Sequence, residues 1–558
     1  MFSPIKFLTP RLGPTSTIEH SPTYVSAAPR DGHHPHIRAL DGLRFLAAAN
    51  VMIAHGYWYI VLMQEKGTGA DLLSRWILSG AGIGMTLFFV LSGFVIHYNY
   101  HRTVPGSRSG TLQFYIARFA RLYPLFLVVF GCDFARILWE QGYFSGYVFK
   151  TYDPFKALPF YLSFTQTWWW WPLQGTSAYE YYGTWTTGAT AAMWSLSTEA
   201  FFYAAYPLFA GRLSRLSGRA LAVFALGSMA FGLVYYTWAL THQELLVGWA
   251  AHHFPYAPSD QFAHWVLFQS PWGRISEFLL GASAAQAFLV SNRQGSHEGA
   301  PRLGRWLALA SLIAFITPTA YIFGFTGIGV VGTQLCAAMA AVFAFAVARY
   351  RTRISVVLSH PFCVRLGDAS YSLYLLHYFI LHDYGQDFVL RYPEVPRWLI
   401  YIAMMTAAAI ASLISYRFFE RPALRWARAN FLRLKWQIYL PAALGMITVC
   451  SMLLSVHMTA IGNAEPLSES GHISVSSASF GDNCNPMLHD NELGLMRRVC
   501  GNQQSCAFDY DILKIRDPAP GCVKRFQVVY SCGPLTPQRE FMIERFDKAQ
   551  MPIELSCN

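Results

Sequence analysis

Residues 40–58 read LDGLRFLAAANVMIAHGYW. The stretch is apolar for most of its length, yet Asp41 and Arg44 stand near its start and His55 near its end. The apolar run continues to about residue 62, long enough as a helix to cross roughly 30 Å of hydrocarbon. An ionisable group inside such a span is costly, so it faces a bundle interior or a water-filled cavity. The segment therefore predicts a helix in a membrane bundle and a polar site within that bundle.

The rest of the chain repeats the pattern. Of its 558 residues 54% are hydrophobic and 13% are charged, against about 25% charged in soluble domains. The mean hydropathy is +0.28. The 17 Trp, 31 Tyr and 42 Phe suit interfacial aromatic belts. The formal net charge of +11 does not mark a nucleic-acid binder, because the arginines fall in the gaps between apolar spans. Candidate spans are 40–62, 80–100, 117–138, 191–210, 220–240, 265–290, 306–322, 327–348, 369–388, 397–416 and 436–457. The expected fold is a polytopic α-helical membrane protein of about 10–11 transmembrane helices. Residues 155–190 are aromatic and polar at once, including WWWW at 168–171. They read as an interfacial or partly re-entrant loop that lines a cavity, since irregular backbone cannot face lipid.

The loops set an orientation. Arg102 and Arg108, Arg212 to Arg219, Arg293 to Arg305, Arg349 to Arg353, and Arg421 to Lys435 fall in alternate loops. The positive-inside rule puts these in the cytoplasm, with the N terminus. Residues 1–36 lack a basic start joined to an apolar core, and read as a disordered cytoplasmic tail. An odd number of spans, ending with a further helix at 436–460 after a membrane domain at 37–435, places residues 465–558 outside. That segment holds Cys484, Cys500, Cys506, Cys522, Cys532 and Cys557. An even, dense set of cysteines in a polar segment points to disulfides and an oxidising compartment. The pairing cannot be read from spacing. ISVSSASF and RFQVVYSC alternate apolar and polar residues, so a small extracytoplasmic β-rich or α/β module is expected.

Within the spans, His55 can accept a proton near neutral pH, or it can be a packed histidine bonded to a neighbouring helix. Arg118 and Arg121 in YIARFARLYP share a helix face. They can hold phosphates bidentately or merely anchor a cytoplasmic helix end. Arg44 lies at the same level and can pair with Asp41. Glu199, in WSLSTEAFFY, stands about a turn into its span and can orient a histidine, neutralise an arginine or hold a hydroxyl. In LGDASYSLYLLHYF, Asp368 fits a helix N-cap or first turn. Ser370, Tyr374 and His377 share a face there, and His377 is either structural or a second catalytic imidazole. Ser92 and Gly93 in FFVLSGFVI permit close helix contact. There is no HExxH, no Cys-His metal grouping, no Walker A loop and no GxGxxG.

LDGLRFLAAANVMIAH, FFVLSGFVI, ARFARLYP, WSLSTEAFFY, GDASYSLYLLH and YRFFERP, in this order, resemble the membrane-bound acyltransferase-3 family over about residues 37–422. The resemblance implies O-acylation of a surface or exported carbohydrate, with a cytoplasmic acyl-CoA, by family habit acetyl-CoA, as donor substrate and no tightly bound cofactor. It implies His55 as the catalytic histidine and Glu199 as the glutamate of its W-S-L-x-x-E pattern. Arg118 and Arg121 become holders of the donor's nucleotide, and Arg44 the arginine after the D-G motif. The expected partners are acyl-CoA, a carbohydrate or glycolipid acceptor and the lipid bilayer, in a multi-pass inner-membrane protein. Residues 465–558 resemble a sea-urchin-egg-type galactose- or rhamnose-binding lectin module through ASFGDNC, the pair Cys500 and Cys506, and DPAPGCVKRFQVVYSC. They carry Phe480, Gly481 and Asp482 where that family has Tyr-Gly-Arg. The competing functions are a carbohydrate or lipid transporter and a non-catalytic sugar-binding membrane receptor.

Overall fold

A computed structural model describes residues 35–62, 72–140, 154–168, 192–246, 265–293, 301–322, 329–431, 472–484, 503–508, 523–532, 538–544 and 553–557, with a few isolated positions. The span expected at 436–457, nearly all of the tail at 1–36 and all of the aromatic loop beyond Trp168 lie outside these residues.

Each of the first ten expected spans is helical. α1 (Arg38–Gly56) runs on as a π-helical stretch, Tyr57–Leu62. α2 (Leu72–Tyr100), a short α3 (Thr103–Gly106), α4 (Arg108–Glu140) and α5 (Pro154–Ser163) follow. Then come α6 (Trp194–Leu213), α7 (Gly218–Thr241), α8 (Pro271–Arg293), α9 (Pro301–Ile322) and α10 (Gly329–Arg349). α11 (Arg353–Leu358) and α12 (Pro361–Asp368) are short. α13 (Ser370–Tyr378) passes through a π stretch, Phe379–Tyr384, into α14 (Gly385–Arg391). α15 (Arg397–Ser415) passes through another, Tyr416–Glu420, into α16 (Arg421–Phe431). Asp368 does not cap α13, contrary to the sequence reading: it ends α12, and Ala369 takes the N-cap position without a side-chain bond.

Among the described residues five helical stretches are long and apolar enough to cross a membrane: Trp76–Tyr100, Arg108–Arg136, Gly218–Thr241, Val331–Arg349 and Arg397–Ala427. α7 and α15 turn Leu226, Val234, Trp238, Ile402, Ile410 and Ile414 outward, an apolar exterior suited to lipid. α1 and α8 are less apolar because they carry interior polar groups, Asp41, Arg44 and His55 on one and Arg274 and Glu277 on the other. α2 is the central strut, packed on α1, α8, α9 and α10. Its contact with α8 is backbone to backbone: a Cβ on Gly93 would stand 1.9 Å from the Phe278 carbonyl oxygen, and one on Gly281 the same distance from that of Val90. Only glycine fits such a crossing.

The C-terminal module has its own core, centred on Val475, Phe480, Phe526, Val528 and Leu555. β1 (Ser474–Phe480), β3 (Phe526–Ser531) and β4 (Arg539–Ile543) form an antiparallel sheet in the order β1-β3-β4. β2 (Ser505–Phe508) pairs with β5 (Ile553–Ser556). Both predicted strands are therefore present, and β3 alternates buried and half-buried positions along its length. Disulfides join Cys500 to Cys506 and Cys532 to Cys557, while Cys132, Cys336 and Cys363 of the helical part are free. Asp482 is held by a two-point ion pair with Arg525, whose shorter arm is 3.1 Å. That pairing holds the Arg525 guanidinium above its ordinary value.

Candidate active site

The helices line a partly open chamber with a cavity of about 90 Å³. Arg44 of α1, Ser92 of α2, Arg118 and Arg121 of α4, Glu199 of α6 and Tyr374 of α13 all line it. Four of the five side chains singled out from the sequence thus share one chamber, though they are spread over 156 positions of chain, from 44 to 199.

Each is fixed by its helix. Arg118 and Arg121 lie one turn apart on α4 and face the chamber together. The Arg118 guanidinium donates to the Tyr100 hydroxyl at 3.1 Å and lies 5.2 Å from that ring's centroid. Its Nε–H is buried without an acceptor, a state that costs free energy until a ligand oxygen supplies one. Arg121 makes no hydrogen bond or ion pair among the described residues. Arg44 reaches the Asp41 carboxylate at only 3.4 Å, and Asp41 also meets His36 at 2.9 Å. The hydrogen bond to Asp41 holds the His36 imidazole above its ordinary value. Glu199 accepts from Ser92 Oγ at 2.9 Å and from the Tyr203 hydroxyl. Its bonds do not reach His55. The chamber therefore presents cationic forks with spare donors and one carboxylate that takes two hydroxyl bonds on a single oxygen, a surface whose arginines suit an anion.

His55 is not on the chamber lining. It stands eleven residues after Arg44, about 16 Å further along α1 at 1.5 Å per residue. Its Nδ1 lies 2.9 Å from Nε2 of His377. The two ring planes agree within 6° and their centroids are 5.2 Å apart, so the rings lie side by side as an N–H···N bond requires. His377 Nδ1 is 2.7 Å from the Tyr374 carbonyl oxygen. A carbonyl only accepts, so His377 Nδ1 carries its proton and Nε2 presents a lone pair. His55 Nδ1 must then be the donor, and His55 Nε2 is left as an unprotonated base. His55 is partly exposed, and its Nε2 has no partner among the described residues. Tyr59 and Tyr378 pack beside it, their hydroxyls 2.5 Å apart.

Base and chamber are joined through α13. Tyr374 lines the chamber, and its hydroxyl takes a bond from Ser195 at 2.7 Å and donates to the Ala192 carbonyl at 2.8 Å. His377 follows one turn later. The pairing of His377 with His55 crosses 322 positions of chain, and only the shared face of Tyr374 and His377 hinted at it. A further buried group escaped the sequence reading: Arg274 bonds Glu277 at 2.5 Å on α8, with both about 1% exposed or less, and Thr86 of α2 bonds both. An arginine and a glutamate three apart inside the 265–290 span were the available signal. Arg274 lies 5.7 Å from the ring centroid of Phe89, a chamber residue, so this pair backs the chamber wall.

The chain was compared with known proteins. A family profile described as acyltransferase domain matches residues 37–417. The Staphylococcus aureus (strain MRSA252) protein named "Putative O-acetyltransferase SAR0937" is 24% identical over 445 residues, 76% of this chain and 63% of that protein. The chain thus spans less than two thirds of that relative's length. Nodulation protein 10 of Rhizobium leguminosarum bv. viciae is 23% identical over 415 residues, 70% of this chain and 94% of its own. Acyltransferase MdmB of Streptomyces mycarofaciens is 26% identical over 402 residues, 69% and 91% of the two chains. No solved structure matches. The profile covers more than half of the chain, and the chain belongs to this acyltransferase family.

Proposed function

We propose that the protein is a membrane O-acyltransferase that moves an acyl group, by analogy with its relatives an acetyl group, from cytoplasmic acyl-CoA to a hydroxyl of a surface or exported carbohydrate. The observation that carries this reading is the convergence of Arg44, Arg118 and Arg121 on one chamber about 16 Å along α1 from a free imidazole nitrogen. The anionic part of CoA needs cationic forks, and the pantetheine arm spans the remaining distance to the base. Arg118 and Arg121 hold the phosphates at the cytoplasmic end, with Arg44 beside them. His55 Nε2 takes the acceptor's hydroxyl proton as its oxygen attacks the thioester carbon. The carbon–sulfur bond breaks, and the proton passes from His55 to the departing sulfur, giving the ester and free CoA thiol. Glu199 serves the chamber rather than the base, through Ser92 and Tyr203.

In this reading the N terminus is cytoplasmic. The disulfide-bonded C-terminal module stands outside the inner membrane as an accessory carbohydrate-binding unit. Mass spectrometry of surface glycans with and without the gene tests it. A mass difference of one acyl group identifies acyl group and acceptor together; identical glycans reject the proposed acceptor class.

A further inference from the structure

We propose that His377 is the positioning residue of the transfer reaction, a neutral imidazole that fixes the tautomer and ring plane of His55 where hydrolytic triads use a carboxylate. The proposal rests on the O-acyl-transfer reading above. The chain of bonds runs in one direction: Tyr374 carbonyl, His377 Nδ1–H at 2.7 Å, His377 Nε2, then His55 Nδ1–H at 2.9 Å. Its anchor is firm, because the Tyr374 side chain is tied to Ser195 and to the Ala192 carbonyl. Each histidine also sits just before a π-helical stretch, Tyr57–Leu62 after His55 and Phe379–Tyr384 after His377. The two stretches pack on each other, and such stretches often mark functional sites.

No carboxylate described takes this place. Glu199 is bonded to Ser92 and Tyr203, Glu420 to Ser372, and Asp41 sits at the arginine end. The imidazolium formed on His55 is met by uncharged groups, His377, Tyr59 and Tyr378. That suits a reaction whose base must return its proton. A neutral partner stabilises the His55 imidazolium less than a carboxylate would, so that imidazolium is the stronger acid toward the thiolate sulfur.

The test compares full-length wild type, His377→Leu and His377→Gln in lipid nanodiscs. The probes are radiolabelled acetyl-CoA and the carbohydrate fraction of a strain lacking the gene. His377→Leu should lower turnover on the order of 100-fold with the acetyl-CoA KM unchanged. His377→Gln, whose amide oxygen accepts from His55 Nδ1–H, should recover to within about tenfold of wild type, a rescue that loss of packing alone does not produce. Equal losses in the two variants, or full turnover in His377→Leu, overturn the proposal. A second readout needs no activity: carbethoxylation of His55 by diethyl pyrocarbonate, followed by peptide mass spectrometry. It should slow several-fold in His377→Leu and stay near wild type in His377→Gln; equal rates in all three proteins overturn the role even if transfer is never observed. Unlabelled carbohydrate together with the expected carbethoxylation pattern rejects the O-acyl-transfer reading while leaving the pairing itself supported.

Discussion

At the scale of single residues, the division between chamber and base makes distinguishable predictions. If His55 is the base of the proposed transfer, His55→Ala should lower turnover about 10²–10⁴-fold while acetyl-CoA binding, measured by titration calorimetry, stays unchanged. The double replacement of Arg118 and Arg121 by Ala should do the opposite. Each charge-assisted bond lost is worth about 1.5–3 kcal/mol, so donor affinity should drop at least tenfold for each arginine. The arginines, Glu199 and His55 were legible because an ionisable residue in an apolar helix stands out by itself. His377 was visible but undecided, since its meaning depends on a neighbour 322 positions away. The tautomer of the pair was out of reach for the same reason: it is set by a main-chain carbonyl, which every residue has.

At the scale of helices, the chamber depends on how closely α2 can approach its neighbours. Gly93→Leu should force α2 and α8 apart, because four extra carbons have no space beside the Phe278 carbonyl. Overpacking of this kind costs about 1–3 kcal/mol or more, to be seen as a lower melting temperature in detergent. Gly131→Ala, where an added Cβ meets nothing within 4 Å, is the control. The Arg274–Glu277 pair gives a second test. Glu277→Ala strands a buried guanidinium and should destabilise by about 3–5 kcal/mol, whereas the double change Arg274→Met, Glu277→Leu should cost far less. Helix positions were legible from apolar run length alone, to within a few residues at most ends. The breaks inside the runs were not. The π-helical stretches at Tyr57–Leu62, Phe379–Tyr384 and Tyr416–Glu420 carry no composition of their own. Their extra residue is accommodated by tertiary packing, and Asp368 was misread as a cap for a related reason, since α12 ends where a single helix was expected to begin.

For the whole molecule, two units with separate cores predict separable behaviour. Reducing the disulfides Cys500–Cys506 and Cys532–Cys557 should unfold the small sheet module, at a cost of about 2–5 kcal/mol per bond. Acyl transfer to a soluble acceptor should survive the treatment, as measured by label incorporation before and after reductant. The division into an apolar helical unit and a cysteine-rich β unit was plain from composition. The meeting of five helices at one chamber was not, because no local pattern records which helices are neighbours. Each π-helical stretch holds one residue more than an ordinary helix would use over the same rise, and a helix turns about 100° per residue. Removing that extra residue from Tyr57–Leu62 would return the stretch to ordinary winding and leave the side chains on either side of it, His55 included, close to their present bearings. A lineage could thus gain or lose a residue at such a point, reshaping only the local bulge, without displacing the histidine beside it.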